Sequence, residues 1–346
     1  MHIQARRVFR LSLTVALSLA LGYVLPMALP FLAPVFAVIL CATPGPPMRL
    51  KALIGLTLLV AISPSIGVLL IPLLLQYPVS ALMIITVGLF FSAYLTVNLG
   101  KGLVGMFLTV GIALISAAGT VSDQLATTVI KDLLFGIGLA IICQWVVYPW
   151  FPEDAVAKVP PKTKATGAEQ SSWIAMRSTL IVLPAYLLAL TNPTMYLAII
   201  MKSVSLSQQS SVVDARSAGR ELVGSTFLAG VFSVLFWMLL SILPNLWMFF
   251  WLMLSCMVFV AARIYGVVPS RYPASFWINV VVTMLILLGP AVQDSANGKD
   301  VMSAFAVRLG LFIAVTLYAW LAVYLLERWR KRRDHYVSHG ARAMEV

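Results

Sequence analysis

Long apolar runs fill nearly the whole chain, each cut by a short stretch of Pro, Gly, Asn, Ser or basic residues. A hydrocarbon core about 30 Å thick takes roughly 20 apolar residues to cross as a helix, so each run of that length reads as a transmembrane helix. The pattern predicts helices near residues 8–26, 30–43, 51–75, 79–97, 102–119 and 129–150, and again near 172–190, 193–209, 219–243, 246–265, 273–291 and 301–326. Between the two sets lies FPEDAVAKVPPKTKATGAEQ, Phe151 to Gln170, whose Pro, Lys and Thr content reads as a flexible tether. The expected organisation is a first six-helix unit over 1–150, a linker over 151–170, a second unit over 171–327 and a basic tail over 328–346. The expected fold class is all-α and polytopic, with about 12 transmembrane helices as two parallel six-helix repeats, N-in and C-in.

Composition agrees with the pattern. The chain is 61% hydrophobic and only 10% charged, with a mean hydropathy of +0.97, far from the soluble balance of about half apolar and a quarter charged. A net charge of +12 would suggest nucleic acid in a soluble protein, but the Lys and Arg fall mainly between apolar runs, so no nucleic-acid partner is expected. Cys41, Cys143 and Cys256 lie inside apolar runs without CxxC spacing and read as buried small hydrophobes. His2, His335 and His339 lie in the tails, leaving nothing from which to build a helical metal site. Arg6, Arg7 and Arg10 before Leu11–Leu25 imitate a signal peptide, but no small-x-small cleavage site follows, and the segment reads as an uncleaved first helix.

Basic residues in short loops stay on the cytoplasmic side. With twelve crossings and the N-terminus inside, that side collects Arg6, Arg7, Arg49, Lys51, Lys101, Lys158, Lys162, Lys164, Arg216, Arg220, Arg271 and the Arg328–Arg333 cluster, while the opposite loops hold only Lys299. The halves also echo each other. Arg10 opens the first helix as Arg177 opens the seventh, Lys51 and Gly55 match Arg220 and Gly224, Pro72 and Pro244 close the third and ninth, and Asp123 and Asp294 fall in matching outer loops. With an even number of crossings per unit, such a duplication is a parallel repeat about the membrane normal.

Short or Pro-interrupted segments at matching positions of two repeats point to a transport site. The second and eighth helices, PFLAPVFAVILCAT from Pro30 and PTMYLAIIMKSVSLSQQ from Pro193, fit that description. Pro34, Pro64 and Pro193 are the candidate hinges, with Ser63 and Ser65 flanking Pro64 to re-satisfy a broken ladder. Lys202 lies about nine residues into the eighth run, where a lysine costs roughly 2.5–3.5 kcal/mol on insertion scales. The competing reading is a lysine snorkelling from a helix end. Ser203 and Ser205 follow it and make that helix polar enough to line a path. Lys131 and Asp132 open the sixth helix and Arg308 lies two turns into the twelfth. Lys202, Arg308, Lys131, Ser203 and Ser205 are the candidate substrate-binding residues, and Asp132 the candidate proton-coupling carboxylate; its plainer role is to stabilise a helix N-terminus. Three cations against one acid favour an anionic substrate.

No phosphate loop, HExxH or GxSxG occurs, so neither an enzyme nor a cofactor is expected, and any driving force is an ion gradient or the substrate's own.

The opening RLSLTVALSLALGYVLPMALPFLAPVFAVILCATPGPPMRLKALIG, most specifically Pro30 to Pro47, resembles the DUF2955 group of the fusaric-acid-resistance (FUSC) superfamily. Lys131-Asp132 followed by Gly136 resembles that superfamily's charged helix opening before a glycine, and the second half resembles it through its layout. The resemblance implies a multi-pass protein of the bacterial inner membrane that exports aromatic carboxylates or other organic anions. It also implies a periplasmic adaptor of the HlyD/membrane-fusion type, able to connect to an outer-membrane channel. Larger exporters of the superfamily carry a sizeable cytosolic domain that this sequence lacks. Related plant anion channels pair six-helix subunits around a pore, which makes the duplication resemble a fused pair and leaves homo-oligomers open. The alternatives are a passive anion channel and a non-transporting membrane scaffold for the adaptor.

Overall fold

Twelve helical rods arise from these runs in a computed structural model that describes residues 2–100, 102–153, 168–212, 219–296, 298 and 300–344, the side chains of 168, 169, 194, 195, 209–212, 296 and 331–344 lying outside the description. They are α1 (Ile3–Val24), α2 (Leu32–Cys41), α3 (Leu50–Gln76), α4 (Pro78–Asn98), α5 (Gly102–Gly119), α6 (Asp123–Val147), α7 (Ala168–Thr191), α8 (Pro193–Val212), α9 (Gly219–Ile242), α10 (Leu246–Ile264), α11 (Ala274–Ala296) and α12 (Val301–Met344). Among the described residues there is no strand. Ten of the rods are long and apolar enough to cross a bilayer, and the two that are not are α2 and α8. The chain is a multi-pass helical protein of membrane type.

Local chemistry explains most of the breaks. Pro78 occupies the first turn of α4, where its missing N–H costs nothing. Ser122 caps α6 by accepting from the Leu125 N–H, and Asn245 caps α10 by accepting from the Met248 N–H. Pro244 lies just past α9. Pro72, in contrast, lies inside α3, which continues to Gln76, so it does not close that helix. The expected sixth helix starts too late: the Ser122 cap begins it at Asp123, so Lys131 and Asp132 sit more than two turns inside it. Asp294 is not in a loop, because α11 runs on past Pro290 to Ala296. Proline is tolerated inside such helices when neighbouring helices and hydroxyls re-satisfy the freed groups. The tether over 151–170 lies largely outside the described residues, as do Lys101, Lys158, Lys162, Lys164, Arg216 and Lys299.

The helices pack in a regular scheme. α1 contacts α2 and α6, and α7 contacts α8 and α12; α5 contacts α3 and α4, and α11 contacts α9 and α10. Across the chain α1 lies on α10 and α4 on α7, while α2 meets α11 and α5 meets α8. Small residues permit the closest approaches, as expected where lipid supplies no hydrophobic drive between helices. A Cβ on Gly67 of α3 would sit 2.0 Å from the Gly111 carbonyl of α5, and one on Gly111 would sit 2.2 Å from the Ser63 carbonyl. Gly111 also begins a π-helical turn, Gly111–Ile115.

Charges gather at one end. Arg6, Arg7, Arg10, Arg49, Lys51, Arg220, Arg263, Arg271, Arg328 and Arg330 lie there, beside helix starts or ends that the short connections place on the same side. The far end carries Asp123, Lys131, Asp132, Asp294, Asp300 and Arg308. At the basic end, Glu153 bonds Arg7 and Arg10, the latter at 2.7 Å, and ties the end of α6 to the start of α1. Arg177 and Glu327, 3.5 Å apart, tie α7 to α12 in the same manner.

Candidate functional site

The short α2 and the polar α8 face each other across a cavity of about 290 Å³. Its walls come from α2, α5, α6, α8 and α11. Val35, Phe36, Val110, Leu114, Leu133 and Ile286 make an apolar chamber, and Thr43, Ser205, Gln208, Ser275 and Asn279 make a polar pole. The pole lies toward the basic end, because Thr43 follows the last turn of α2 and Ser275 opens α11. Just past α10, the Tyr265 hydroxyl donates to the carbonyl of the lining residue Ala42 at 2.9 Å, satisfying a carbonyl that the end of α2 leaves open.

Lys202 sits behind the wall. Met201, Val204, Ser205 and Gln208 turn to the cavity, and Lys202, fully buried, turns to α11, where Nζ donates to Thr283 Oγ1 at 2.8 Å. Among the described residues no carboxylate pairs with it. One turn on, Ser205 Oγ donates to Asn279 Oδ1 at 3.2 Å, and Asn279 Nδ2 donates to Ser225 Oγ of α9 at 2.6 Å. The arrangement is a polar ladder between α8, α11 and α9, with the buried Lys202 amine at its inner end. Ser203 takes no part, since its hydroxyl bonds the Ile200 carbonyl of its own helix at 2.8 Å.

The other candidates do not converge on Lys202. Arg308 is held by Asp294 at 2.5 Å, joining α12 to the last turn of α11 at the far end. Lys131 lies on the exposed face of α6 with Phe135 one turn along. Asp132 is buried and accepts from the Leu29 N–H at 2.5 Å, holding the loop between α1 and α2. Of the candidate hinges, Pro34 is the third residue of α2 rather than a break in it, and Pro193 begins α8. Pro64 lies inside α3, where the flanking Ser63 and Ser65 hydroxyls bond the Leu59 and Ala61 carbonyls at 2.8 and 3.0 Å. The second helix starts at Leu32, two residues after the proline expected to open it.

Asn279 and Thr283 were not among the sequence candidates, whereas Gln208 belongs to the polar stretch of the eighth helix that the sequence marks as path-lining. Ser275, Asn279 and Thr283 recur every fourth residue and so stripe one face of an otherwise apolar helix, a periodicity that would have found them. Tyr186 was missed as well. Its hydroxyl lies 3.0 Å from Ser116 Oγ and stitches α7 to α5 inside the bundle.

No curated protein and no solved structure gives a significant match to the chain. Residues 7–147, the stretch from α1 to the end of α6 that supplies one wall of the cavity, match the family described as "Protein of unknown function (DUF2955)".

Proposed function

We propose that this chain is a permease that exports organic anions of the size of single-ring aromatic carboxylates across a bacterial inner membrane. The cavity between α2 and α8 carries the reading. Ligand pockets for drug-sized molecules run from about 300 to 1,000 Å³, so about 290 Å³ suits one ring with a small polar group. Apolar walls accept the ring, and the amides and hydroxyls at the pole accept the polar group. Lys202 adds a positive centre that no described carboxylate neutralises, and Arg7 and Arg10 outnumber Glu153 near the same end.

The basic end is then cytoplasmic, giving N-in and C-in topology. We further propose that α1–α6 and α7–α12 are two parallel repeats. The pairing of α1 with α2 and α6 is matched by that of α7 with α8 and α12, and α1 on α10 by α7 on α4. The ion pairs Arg10–Glu153 and Arg177–Glu327 occupy equivalent helix ends. A periplasmic membrane-fusion adaptor and an outer-membrane channel complete the export route in the FUSC superfamily that the sequence resembles, and belong to this proposal.

A passive anion channel is the second reading, favoured by a cavity lining that, among the described residues, holds no carboxylate. Inside-out vesicles containing the protein should take up an aromatic carboxylate faster than protein-free vesicles, and should ignore an aromatic amine of the same size. Uptake that merely equilibrates when the proton gradient is collapsed supports the channel; equal handling of acid and amine refutes both readings.

A further inference from the structure

At its far end the cavity is lined by Leu133 of α6 and Ile286 of α11, and the loop between α1 and α2 is held just outward of both. α2 has 10 residues and spans about 15 Å at 1.5 Å per residue, half the hydrocarbon thickness. The connection from Leu25 to Phe31 joins it to α1 at the far end. Three contacts hold it, and each lies just outward of a residue that lines the cavity. On α6 the Asp132 carboxylate accepts from the Leu29 N–H, and the next residue, Leu133, lines the chamber. On α11 the Gln293 side-chain amide donates to the Ala28 carbonyl, two turns outward of the lining residue Ile286. Between them Phe31, 3% exposed, packs directly against Gly289, where an added Cβ would sit 2.2 Å from its ring.

We propose that Leu25–Phe31 is the outer gate of this cavity, and that Asp132 and Gln293 are its latches. One latch stands on α6 and the other on α11, two separate lining helices that both pack on α2, so a movement that draws them apart strains the loop at one latch or the other. The end of α11 stays anchored while this happens, since Asp294, beside Gln293, is ion-paired with Arg308 of α12. Asp132 therefore holds the closed state through the loop backbone and does not meet the transported molecule. Gly289 sets how deeply Phe31 seats, because any side chain there would lift the ring from the helix.

The gate rests on the permease reading for its purpose, but its test reads solvent access and not transport, so either idea can fail alone. Ile286→Cys is introduced into a chain whose Cys41, Cys143 and Cys256 are replaced by alanine. A small membrane-impermeant methanethiosulfonate reagent is applied to sealed vesicles from one side at a time. With the latches intact, labelling from the basic, cytoplasmic end is expected to exceed that from the far end at least tenfold. Asp132→Ala combined with Gln293→Ala is expected to raise far-end labelling about tenfold and leave basic-end labelling unchanged. Phe31→Ala, which removes the plug and keeps both latches, is expected to do the same. Unchanged far-end labelling in both variants overturns the gate. Equal acceleration from both ends also overturns it, because the bundle has then loosened as a whole.

Discussion

Replacing Lys202 by methionine separates function from stability at one atom. The side chain is fully buried, and among the described residues its one hydrogen bond is to Thr283 at 2.8 Å. A lysine near mid-membrane costs roughly 2.5–3.5 kcal/mol on insertion scales, and the single hydrogen bond returns about 1 kcal/mol of that. Methionine has nearly the same length and no charge, so it keeps the packing and removes the cost. The Thr283 hydroxyl loses a partner, but it can turn to a carbonyl of its own helix. The net expectation is a gain of about 1–3 kcal/mol in stability together with loss of anion export, the trade expected of a residue kept for activity. Unfolding of the purified protein in detergent, followed by tryptophan fluorescence, measures the first, and uptake by inside-out vesicles the second. A variant that is less stable than the parent by more than 1 kcal/mol refutes the reasoning, because Lys202 would then be a structural anchor.

Three further outcomes follow from other parts of the fold. Burial pushes the Glu153 carboxyl up, but hydrogen bonds and charges from Arg7 and Arg10 outweigh it and hold the group below its ordinary 4.5. A carboxyl depressed on folding contributes stability above its unfolded value and loses it as pH falls through the folded value. The stability gap between parent and Glu153→Gln should therefore be constant from pH 7 to 5 and close below pH 4.5 in a thermal-shift series. Gly67→Ala should cost about 1–3 kcal/mol, because the new methyl meets the Gly111 backbone and not a movable side chain; a neutral result in the same unfolding assay would contradict the α3–α5 contact. Tyr186→Phe should cost about 0.5–1.5 kcal/mol by removing the bond to Ser116 between α7 and α5, and the loss should vanish when Ser116→Ala is already present.

Much of this architecture was legible in the apolar periodicity. Run length and Pro or Gly breaks marked most rods; α2, at 10 residues, is as short as expected, whereas α8, expected to be short, runs for 20 residues and falls outside the spanning helices by its polar residues and not by its length. The charges were harder. Asp132 and Arg308 could be assigned a depth, but their partners Leu29 and Asp294 depend on how loops fold back and how far α11 continues past Pro290. Tertiary packing supplies those partners, and no local rule contains them. Lys202 was found by its cost in the bilayer, while its orientation, one face of α8 away from the cavity, is a rotation of about 100° that periodicity cannot fix without knowing which neighbour lies where. Asn279 escaped because a lone amide in an apolar run reads as noise until Ser275 and Thr283 are seen to share its face.

The central claim is that anions pass through the cavity between α2 and α8. Val282 lines it, and Leu239 of α9 faces outward, 46% exposed. Uptake of an aromatic carboxylate into inside-out vesicles should be abolished by Val282→Trp, which fills the chamber, and unaffected by Leu239→Trp at equal protein level. Unimpaired uptake by a correctly inserted Val282→Trp protein would contradict the account.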